Sequence, residues 1–331
     1  MCGFPGFPDH GGYRDGMLND QLALLRTALV RLTERPGFRR LATESPSGKR
    51  VAARFVAGTT LDDAMAAARM LDRVRIATML DHLGEHVETP DQATAAAAAY
   101  VDALESAEAA GDLDCAISVK PTQLGLDLSV DTCTEHLERL LAVAERSSTL
   151  VMLDMESHEY VDRTIEVHRR LREDHDRVGV CLQSYLLRSA QDVFDLPARS
   201  IVRLVKGAYL EPEGVAYRDR ATVDEHWRRL FTTLMMRGHV VHVATHDPEL
   251  IEGARAFVER RGMGWSRVEF QFLYGIRADL QQRLAADGYP VRVYVPYGAE
   301  WYPYLTRRLA ERPANLWFFA SNLFRSGVAR G

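Results

Sequence analysis

Short runs of β-branched and aliphatic residues recur along the chain after residue 50, and an amphipathic helical pattern follows each of them. This alternation is typical of βα units arranged around a parallel sheet. The nine runs span residues 52–57, 75–80, 115–119, 150–154, 178–183, 201–206, 240–245, 268–273 and 291–295. A (βα)8 barrel needs only eight strands, so one run must lie outside such a barrel.

The residues that follow each run indicate which one to exclude. In (βα)8 barrels the ligand-facing side chains lie at or just beyond the C-terminal ends of the strands. Eight runs lead into polar or aromatic residues, whereas 52–57 leads only into Gly58 and a predicted helix N-cap at Thr60. We therefore predict a TIM-type α/β barrel that excludes 52–57. An open doubly wound sheet is the alternative, but no GxGxxG motif follows the first strand.

The first fifty residues show a different pattern. Residues 1–16 contain five glycines and two prolines without a period, which predicts a flexible N-terminal tail. Apolar residues then recur at helical spacing, so residues 17–50 are predicted to form a helical preface. The catalytic domain is predicted to span residues 51–331.

Composition and charge restrict the class of protein. The 331 residues are 47% hydrophobic and 26% charged, which is typical of a globular domain and excludes a disordered or collagen-like chain. A net charge of −5 provides no basic surface field, so we expect no nucleic-acid partner. The sequence shows neither a signal peptide nor an apolar run of about 20 residues, which favours a cytoplasmic location.

The cysteines and histidines give no metal motif. The four cysteines lie far apart and form no CxxC pair, so neither a zinc site nor a disulfide framework is indicated. His242 and His246 share one face of a predicted strand, but no third ligand lies near them in the sequence. We therefore expect no bound metal.

The last predicted helix, residues 300–311, carries two neighbouring arginines. Tyr304, Arg307 and Arg308 share one face because they are spaced by three and four residues. Paired guanidinium groups at this position, after the final barrel strand, can bind a carboxylate. A solvated face with an ion pair between Arg307 and Glu311 is the alternative.

Charged residues near the strand ends are the other candidates. Arg203 inside a barrel predicts either a ligand contact or an internal ion pair with Asp154 or Glu269, because an unpaired buried charge is costly. Lys120 and Asp154 end two strands and should converge on one pocket. The lysine there could bind an anion, form a Schiff base or pair with Asp154. Gly207 would allow a large ligand to approach the backbone closely.

Nine motifs together resemble those of the monofunctional bacterial proline dehydrogenases, a family of flavoenzymes. They are LDHLGE (80–85), SVKPTQLGL (118–126), LDMES (153–157), LQSYLLR (182–188), RLVKGAY (203–209), ATHD (244–247), EFQFLYGI (269–276), VYVPYG (293–298) and YLTRRLAERPAN (304–315). The combination of RLVKGAY with YxxRRLxE is the specific signal, and the resemblance covers about residues 50–325. It implies a distorted (βα)8 barrel whose last helix lies above the barrel mouth.

The resemblance also implies how the substrate would be bound. Three cations, Arg307, Arg308 and Lys120, would hold the carboxylate of L-proline. Asp154 would act in catalysis by orienting Tyr294. These five residues form the polar part of the expected substrate site.

Three further substrate contacts follow from the resemblance. Tyr304 and Leu273 would pack on the pyrrolidine ring, and Glu85 would pair with Arg307 to close the site over the substrate. Relatives that favour hydroxyproline carry a smaller residue in place of Tyr304. The tyrosine therefore favours L-proline as the substrate.

The FAD site implied by the resemblance lies along strands four to six. Its expected residues are Met155 through its backbone, Gln183, Arg203, Val205, Lys206, Gly207, Ala208, Tyr209, Thr245 and His246. Arg203 would lie near the isoalloxazine ring and stabilise the anionic reduced flavin. The chain departs from some relatives at Leu210, where they have a tryptophan, and at Leu187 and Ser189, where they are richer in arginine.

The implied activity is the oxidation of L-proline to Δ1-pyrroline-5-carboxylate by hydride transfer to flavin N5. This reaction is the first step of proline catabolism to glutamate. The electrons would pass to a membrane quinone through a peripheral contact with the inner face of the cell membrane. A separate pyrroline-5-carboxylate dehydrogenase would then oxidise the product.

Two other functions are compatible with the residues taken without the resemblance. A Schiff-base lyase or aldolase of the TIM-barrel class would use Lys206 or Lys120 as its nucleophile. A non-catalytic regulatory protein is the second, although relatives that act on DNA carry an added domain and this sequence has no basic stripe.

Overall fold

A computed structural model describes residues 40, 43–84 and 87–310, without the side chains at 47 and 307–310. Within this part of the chain, Phe55–Trp301 form one compact unit, and the described residues on either side of them belong to a second unit. The predicted tail, residues 1–16, lies outside the described residues, and so does most of the predicted helical preface, residues 17–50.

Eight parallel strands close into a barrel in which each strand pairs with its neighbours in sequence and the last pairs with the first. The strands are β1 (Ala77–His82), β2 (Cys115–Val119), β3 (Val151–Leu153), β4 (Val178–Gln183), β5 (Ile201–Val205), β6 (Val240–Ala244), β7 (Val268–Leu273) and β8 (Val291–Tyr297). The predicted α/β barrel is therefore confirmed, and the open doubly wound sheet is wrong.

Helices alternate with these strands, as the periodicity predicts. They are α1 (Pro46–Ala52), α2 (Leu61–Asp72), α3 (Pro90–Ala109), α4 (Val130–Ala144), α5 (Val161–Leu171), α6 (Ser189–Asp195), α7 (Arg220–Met236), α8 (Pro248–Arg260), α9 (Ala278–Ala286) and α10 (Trp301–Ala310). Local sequence fixes several starts, because Thr60, Thr89 and Asp247 each cap the helix that follows with their side chains.

The helix before the first strand completes the cover of the barrel. Helix α2 packs against both β1 and β8, the two strands whose pairing closes the sheet. In a regular (βα)8 barrel the helix that follows the last strand covers this seam, whereas here α2 covers it.

The run 52–57 is outside the barrel, but its prediction as a strand is wrong. Ser45 caps α1 by accepting a hydrogen bond from Gly48, and the run begins where this helix ends at Ala52. The apolar residues at 51, 52, 55 and 56 are buried, while 53 and 54 between them are exposed. That spacing suits a helical turn better than the alternation of a strand.

The two faces of the barrel strands differ in chemistry. Outward-facing residues such as Ile117, Val180 and Phe270 are fully buried in the apolar layer beneath the helices. The inward face has only a small apolar cluster around Met79 and Met152. The rest of the interior is mainly polar, and its side chains are fixed by hydrogen bonds and ion pairs.

None of the helices among the described residues is both long and apolar enough to cross a membrane. No group of three or more His, Cys, Asp and Glu side chains in this part of the chain is arranged to hold a metal ion.

Candidate active site

Asp154, which directly follows β3, lies at the centre of a polar cluster in the barrel mouth. Its Oδ1 accepts hydrogen bonds from Ser118 Oγ at 2.7 Å and Arg203 Nη1 at 2.5 Å. Its Oδ2 accepts a hydrogen bond from the Tyr294 hydroxyl at 2.7 Å and lies 3.8 Å from Lys120 Nζ. Three strands, β2 with the residue directly after it, β5 and β8, thus supply the four partners of one carboxylate.

These partners keep Asp154 ionised. Burial by itself would raise the pKa of its carboxyl group, but the charges of Arg203 and Lys120 outweigh burial and lower it. Hydrogen bonds from Ser118 and Tyr294 act in the same direction. The Tyr294 pKa is raised well above its ordinary value by burial and by the Asp154 charge, so the phenol stays a hydrogen-bond donor.

Lys120 is held by a second carboxylate that lies deeper in the barrel. Its Nζ donates a hydrogen bond at 2.6 Å to Oδ1 of Asp81, whose side chain has an exposed fraction of 0%. Burial would lower the pKa of Lys120, but Asp81 and Asp154 raise it. The lysine is therefore an ammonium group, which is suited to binding an anion and unsuited to nucleophilic attack.

Arg203 is buried inside the barrel and is fixed from several sides. Its Nε donates to Gln271 Oε1 at 2.8 Å, and Nη1 forms the ion pair with Asp154. Its guanidinium carbon lies 5.2 Å from the centre of the Tyr294 ring, within reach of a cation–π interaction. Nη2 faces the sulfur of Met79, which is a weak acceptor. The ion pair with Asp154 that the sequence left open is present.

A second lysine, Lys206, lies just after β5 on another part of the mouth. Its Nζ is 2.5 Å from Asp224 Oδ1 and 2.8 Å from Asp247 Oδ2. Arg220 adds another cation, with its Nη2 3.1 Å from the same oxygen of Asp247. Burial would raise the pKa of Asp247, but hydrogen bonding and charge from Lys206 lower it to about 2.

The expected residues at the ends of β6 and β7 lie next to each other. Thr245 is buried, and its hydroxyl accepts a hydrogen bond from the backbone N–H of Asp247 at 3.2 Å. His246 Nε2 accepts one from the backbone N–H of Leu273 at 3.1 Å. Leu273 is in register with Tyr294 of β8, which connects this edge of the mouth to the Asp154 cluster.

Gln183 is buried at the end of β4 with one side of its amide occupied. Its Nε2 donates hydrogen bonds to the backbone carbonyls of Met155 at 3.1 Å and Glu156 at 2.7 Å. Its Oε1 is buried and has no hydrogen-bond partner within the part of the chain that the structure describes. An unused buried acceptor is costly unless a ligand supplies a donor, so this amide fits a ligand N–H.

The loop after β5 is shaped by a glycine. Gly207 has φ +113°, and a Cβ at this position would lie 2.2 Å from a ring carbon of Tyr185. The positive φ and the close contact with Tyr185 both require glycine at this position. The packing of Tyr185 explains the glycine without a ligand. Val205 before the glycine is half-buried, whereas Ala208 and Tyr209 after it are exposed.

Several expected substrate residues cannot be compared with this geometry. Glu85 lies outside the described residues, and so do the side chains of Arg307 and Arg308. Tyr304 is a buried residue of α10 and belongs to the second unit. The carboxylate clamp and the closure of the site therefore stay predictions.

Three residues of the polar cluster were not among the expected site residues. Asp81 pairs with Lys120, whereas Ser118 and Gln271 both accept hydrogen bonds from Arg203. Ser118 also binds Asp154, the carboxylate that pairs with Arg203. The sequence carries a signal for them, because each is a polar residue at an inward position of a barrel strand. Which partner each one meets depends on the register between strands.

A closed parallel barrel whose C-terminal mouth contains buried carboxylates, cations and a phenol defines an α/β-barrel enzyme. The chain matches the family described as Proline dehydrogenase over residues 64–321. It is 41% identical over 308 residues to "Proline dehydrogenase" of Deinococcus radiodurans, covering 91% of this chain and 98% of that protein. The chain therefore belongs to the proline dehydrogenase family and is an oxidoreductase.

Other relatives agree with this assignment. "Proline dehydrogenase 1" of Bacillus subtilis (strain 168) is 36% identical over 275 residues, covering 83% of this chain and 91% of that protein. Among solved structures, proline utilization A (PutA) from Bdellovibrio bacteriovorus aligns with a TM-score of 0.76 at 22% identity, covering 89% of this chain and 37% of that chain. At this identity the PutA structure supports the fold alone.

Family membership decides against the Schiff-base lyase or aldolase. The geometry agrees, since Lys120 and Lys206 are each paired with two carboxylates. The non-catalytic regulatory function is also wrong, because the assigned family is one of enzymes.

Proposed function

We propose that the protein oxidises L-proline to Δ1-pyrroline-5-carboxylate with FAD as its cofactor. The observation that carries the proposal is the cluster of Lys120, Asp154, Arg203 and Tyr294 inside the mouth of a barrel of this family. Named relatives that match nearly their full length are proline dehydrogenases, which supports L-proline as the substrate.

The ammonium group of Lys120 is suited to the substrate carboxylate. Its Nζ donates one hydrogen bond to Asp81 at 2.6 Å and lies 3.8 Å from Asp154, beyond hydrogen-bond distance, so an ammonium group with three N–H donors has capacity for an anion. We assign the remaining positive charge to Arg307 and Arg308, with Tyr304 and Leu273 against the pyrrolidine ring. Glu85 would pair with Arg307 when the substrate is bound.

Asp154 and Tyr294 orient the substrate and hold the cations in place. The phenol donates to Asp154, so its oxygen keeps its lone pairs as neutral hydrogen-bond acceptors. Because proline oxidation needs no nucleophile, this part of the protein contributes mainly by positioning the ring carbon that is oxidised.

The residues present at β4 to β6 fit a flavin. Gln183 offers the unused buried acceptor for a ring N–H, and Arg203 offers a guanidinium whose Nη2 faces the sulfur of Met79, a weak acceptor. We assign the remaining contacts to Met155 through its backbone, Val205, Lys206, Gly207, Ala208, Tyr209, Thr245 and His246. FAD supplies the acceptor for the hydride that leaves the ring carbon beside the proline nitrogen.

The wider setting is proposed on the same basis. Oxidation of proline is the entry to its catabolism to glutamate, and we propose that a membrane quinone receives the electrons through a peripheral contact of this cytoplasmic protein. A separate pyrroline-5-carboxylate dehydrogenase would use the product. We also propose residues 51–331 as the catalytic domain.

The test is an absorption spectrum of the purified protein supplied with FAD, followed by anaerobic addition of L-proline. We expect a flavin band that L-proline bleaches and D-proline does not, with the product trapped by o-aminobenzaldehyde. In the Arg308→Met variant the band should remain while the KM for proline rises strongly. A protein that binds no flavin, or whose flavin L-proline does not reduce, would show the proposal to be wrong.

A further inference from the structure

The side chain of Gln271 lies inside the barrel between Arg203 and two residues nearer the barrel floor. Its Oε1 accepts the hydrogen bond from Arg203 Nε at 2.8 Å. Its Nε2 lies 2.8 Å from His242 Nδ1 and donates to Glu269 Oε1 at 2.7 Å. The amide therefore uses its oxygen on one side and both of its N–H groups on the other.

The two lower residues determine which way the amide points. Burial lowers the pKa of His242 to about 4, so the imidazole is neutral and its Nδ1 can accept a hydrogen bond. Burial would raise the pKa of Glu269, but His242 and Arg292 lower it to about 2, so it accepts as well. The Nε–H of Arg203 can only donate and ionised Glu269 can only accept, so Gln271 must direct its oxygen toward Arg203 and its N–H groups downward. This orientation makes His242 Nδ1 the unprotonated ring nitrogen.

The lower residues are themselves anchored at the floor of the barrel. Arg292 Nε lies 2.9 Å and 3.1 Å from the two oxygens of Glu269, and its Nη2 lies 2.9 Å from Asp114 Oδ1. Arg292 also donates to the backbone carbonyl of Thr78 at 2.8 Å. The orientation of Gln271 is thus set by a continuous series of contacts from the opposite end of the barrel.

We propose that Gln271 is a positioning residue that fixes the plane of the Arg203 guanidinium group. Asp154 and Ser118 both bind Nη1, at one end of that group, and the Tyr294 ring lies beside it. Gln271 supplies the hydrogen bond to Nε at the other end, which restricts rotation about the Nη1 contacts. The proposal rests on the proposed function, because it concerns the arginine that we assign to the flavin.

The first experiment is a double-mutant cycle on the FAD-bound enzyme, with Gln271→Leu and Arg203→Lys. The lysine keeps a cation for Asp154 and lacks the Nε that Gln271 binds. We expect Gln271→Leu alone to slow anaerobic flavin reduction by proline by about 10- to 100-fold, with the KM for proline little changed. In the Arg203→Lys background the same substitution should add almost no further loss.

The second measurement is the midpoint potential of the bound flavin. A loosely held guanidinium stabilises the reduced anion less well, so Gln271→Leu should shift the potential to a more negative value. The matched control is Gln281→Leu, which removes another buried amide, one that donates to the carbonyls of Leu273 and Ile276. The control should lower Tm and leave the potential unchanged.

A pair of substitutions at His242 covers the case in which Gln271→Leu fails to fold. His242→Asn keeps an acceptor for the Gln271 amide, whereas His242→Leu removes it. The asparagine variant should retain the wild-type potential and rate of reduction, and the leucine variant should behave like Gln271→Leu. Equal behaviour of the two variants would overturn the proposal.

These results separate the proposal from the assigned function. If the wild-type enzyme binds no flavin, or L-proline fails to reduce it, the function is wrong. If L-proline reduces the wild-type flavin normally and Gln271→Leu changes neither the rate of reduction nor the potential, only the role of Gln271 is wrong. The same holds if the losses of rate in Gln271→Leu and Arg203→Lys multiply fully in the double variant.

Discussion

Two clusters in the barrel mouth have the same composition and different surroundings. In the inner cluster, Lys120 and Arg203 pair with Asp81 and Asp154. In the rim cluster, Lys206 and Arg220 pair with Asp224 and Asp247. Each contains two cations and two carboxylates, so their total charges are equal.

The difference between the clusters is where their side chains are anchored. The inner cluster is built from strands and is closed to water at Asp81, and Lys120 has an exposed fraction of 18%. The rim cluster uses loops and helix starts, and its second cation, Arg220, has an exposed fraction of 81%. Because water screens exposed charges, equal pairs should contribute unequal free energies. Location, more than the number of charges, should decide how much each pair stabilises.

The largest effect should come from Asp154→Asn. This change removes the charge that Arg203 and Lys120 share, and breaking a buried ion pair from one side costs about 3–5 kcal/mol. We expect the free energy of unfolding in urea to fall by that amount and kcat/KM for proline to fall at least about 100-fold. A stability loss below about 1 kcal/mol would show that burial does not distinguish the two clusters.

Asp81→Asn should have the next largest effect, about 2–3 kcal/mol of unfolding free energy, because it removes a charged hydrogen bond while Asp154 remains near Lys120.

Asp81 raises the pKa of Lys120 in the wild type, so stability from this pair is present below the unfolded-state pKa of lysine and is lost only as pH rises through the higher folded-state value. In the variant the Lys120 pKa falls. Lys120 should therefore lose its charge at lower pH in the variant than in the wild type, so the ratio of kcat/KM between variant and wild type should fall as the pH becomes alkaline. A ratio that does not change with pH would contradict the pairing.

Asp247→Asn is the matched change at the rim and should cost about 1 kcal/mol, since asparagine can still cap α8 and the partner cations Lys206 and Arg220 have exposed fractions of 26% and 81%. The lowered pKa of Asp247, about 2, means that its contribution is present above the unfolded-state value and is lost as pH falls toward 2. Urea titrations of the wild type at acid pH should therefore show the loss of this contribution to the free energy of unfolding. A cost as large as that of Asp81→Asn would remove the contrast between inner and rim clusters.

Arg220→Gln should have the smallest effect, within about 0.5 kcal/mol, because its side chain is mostly in water. Raising the ionic strength should reduce even this difference between variant and wild type. Urea denaturation at two salt concentrations measures both quantities. A loss that salt leaves unchanged would place Arg220 in the same category as the inner cations.

Much of the barrel was predictable because its signal is local. Runs of β-branched and aliphatic residues predicted the bounds of β4 and β7 to the residue, 178–183 and 268–273. The run 52–57 was misinterpreted because five of its six residues are apolar, which resembles a strand when only composition is considered. Burial at helical spacing becomes visible only in the structure.

The candidate site was predictable in part for a different reason. The polar residues Glu269 and Gln271 alternate with phenylalanines along β7, so the sequence contains the information that they face the barrel interior. Their partners depend on register, which places Arg203 opposite His242 and His242 opposite Glu269. Such pairings between distant segments cannot be obtained from the periodicity of any single strand.

Helix α2 has a consequence for how this protein can diverge. The seam between β1 and β8 is covered by α2, a segment that precedes the first strand. The proposed carboxylate-binding arginines, at 307 and 308, lie after the last strand. Substitutions at these two positions therefore leave the α2 cover of the seam unchanged, so a new substrate preference can evolve, or be engineered, without altering that part of the scaffold.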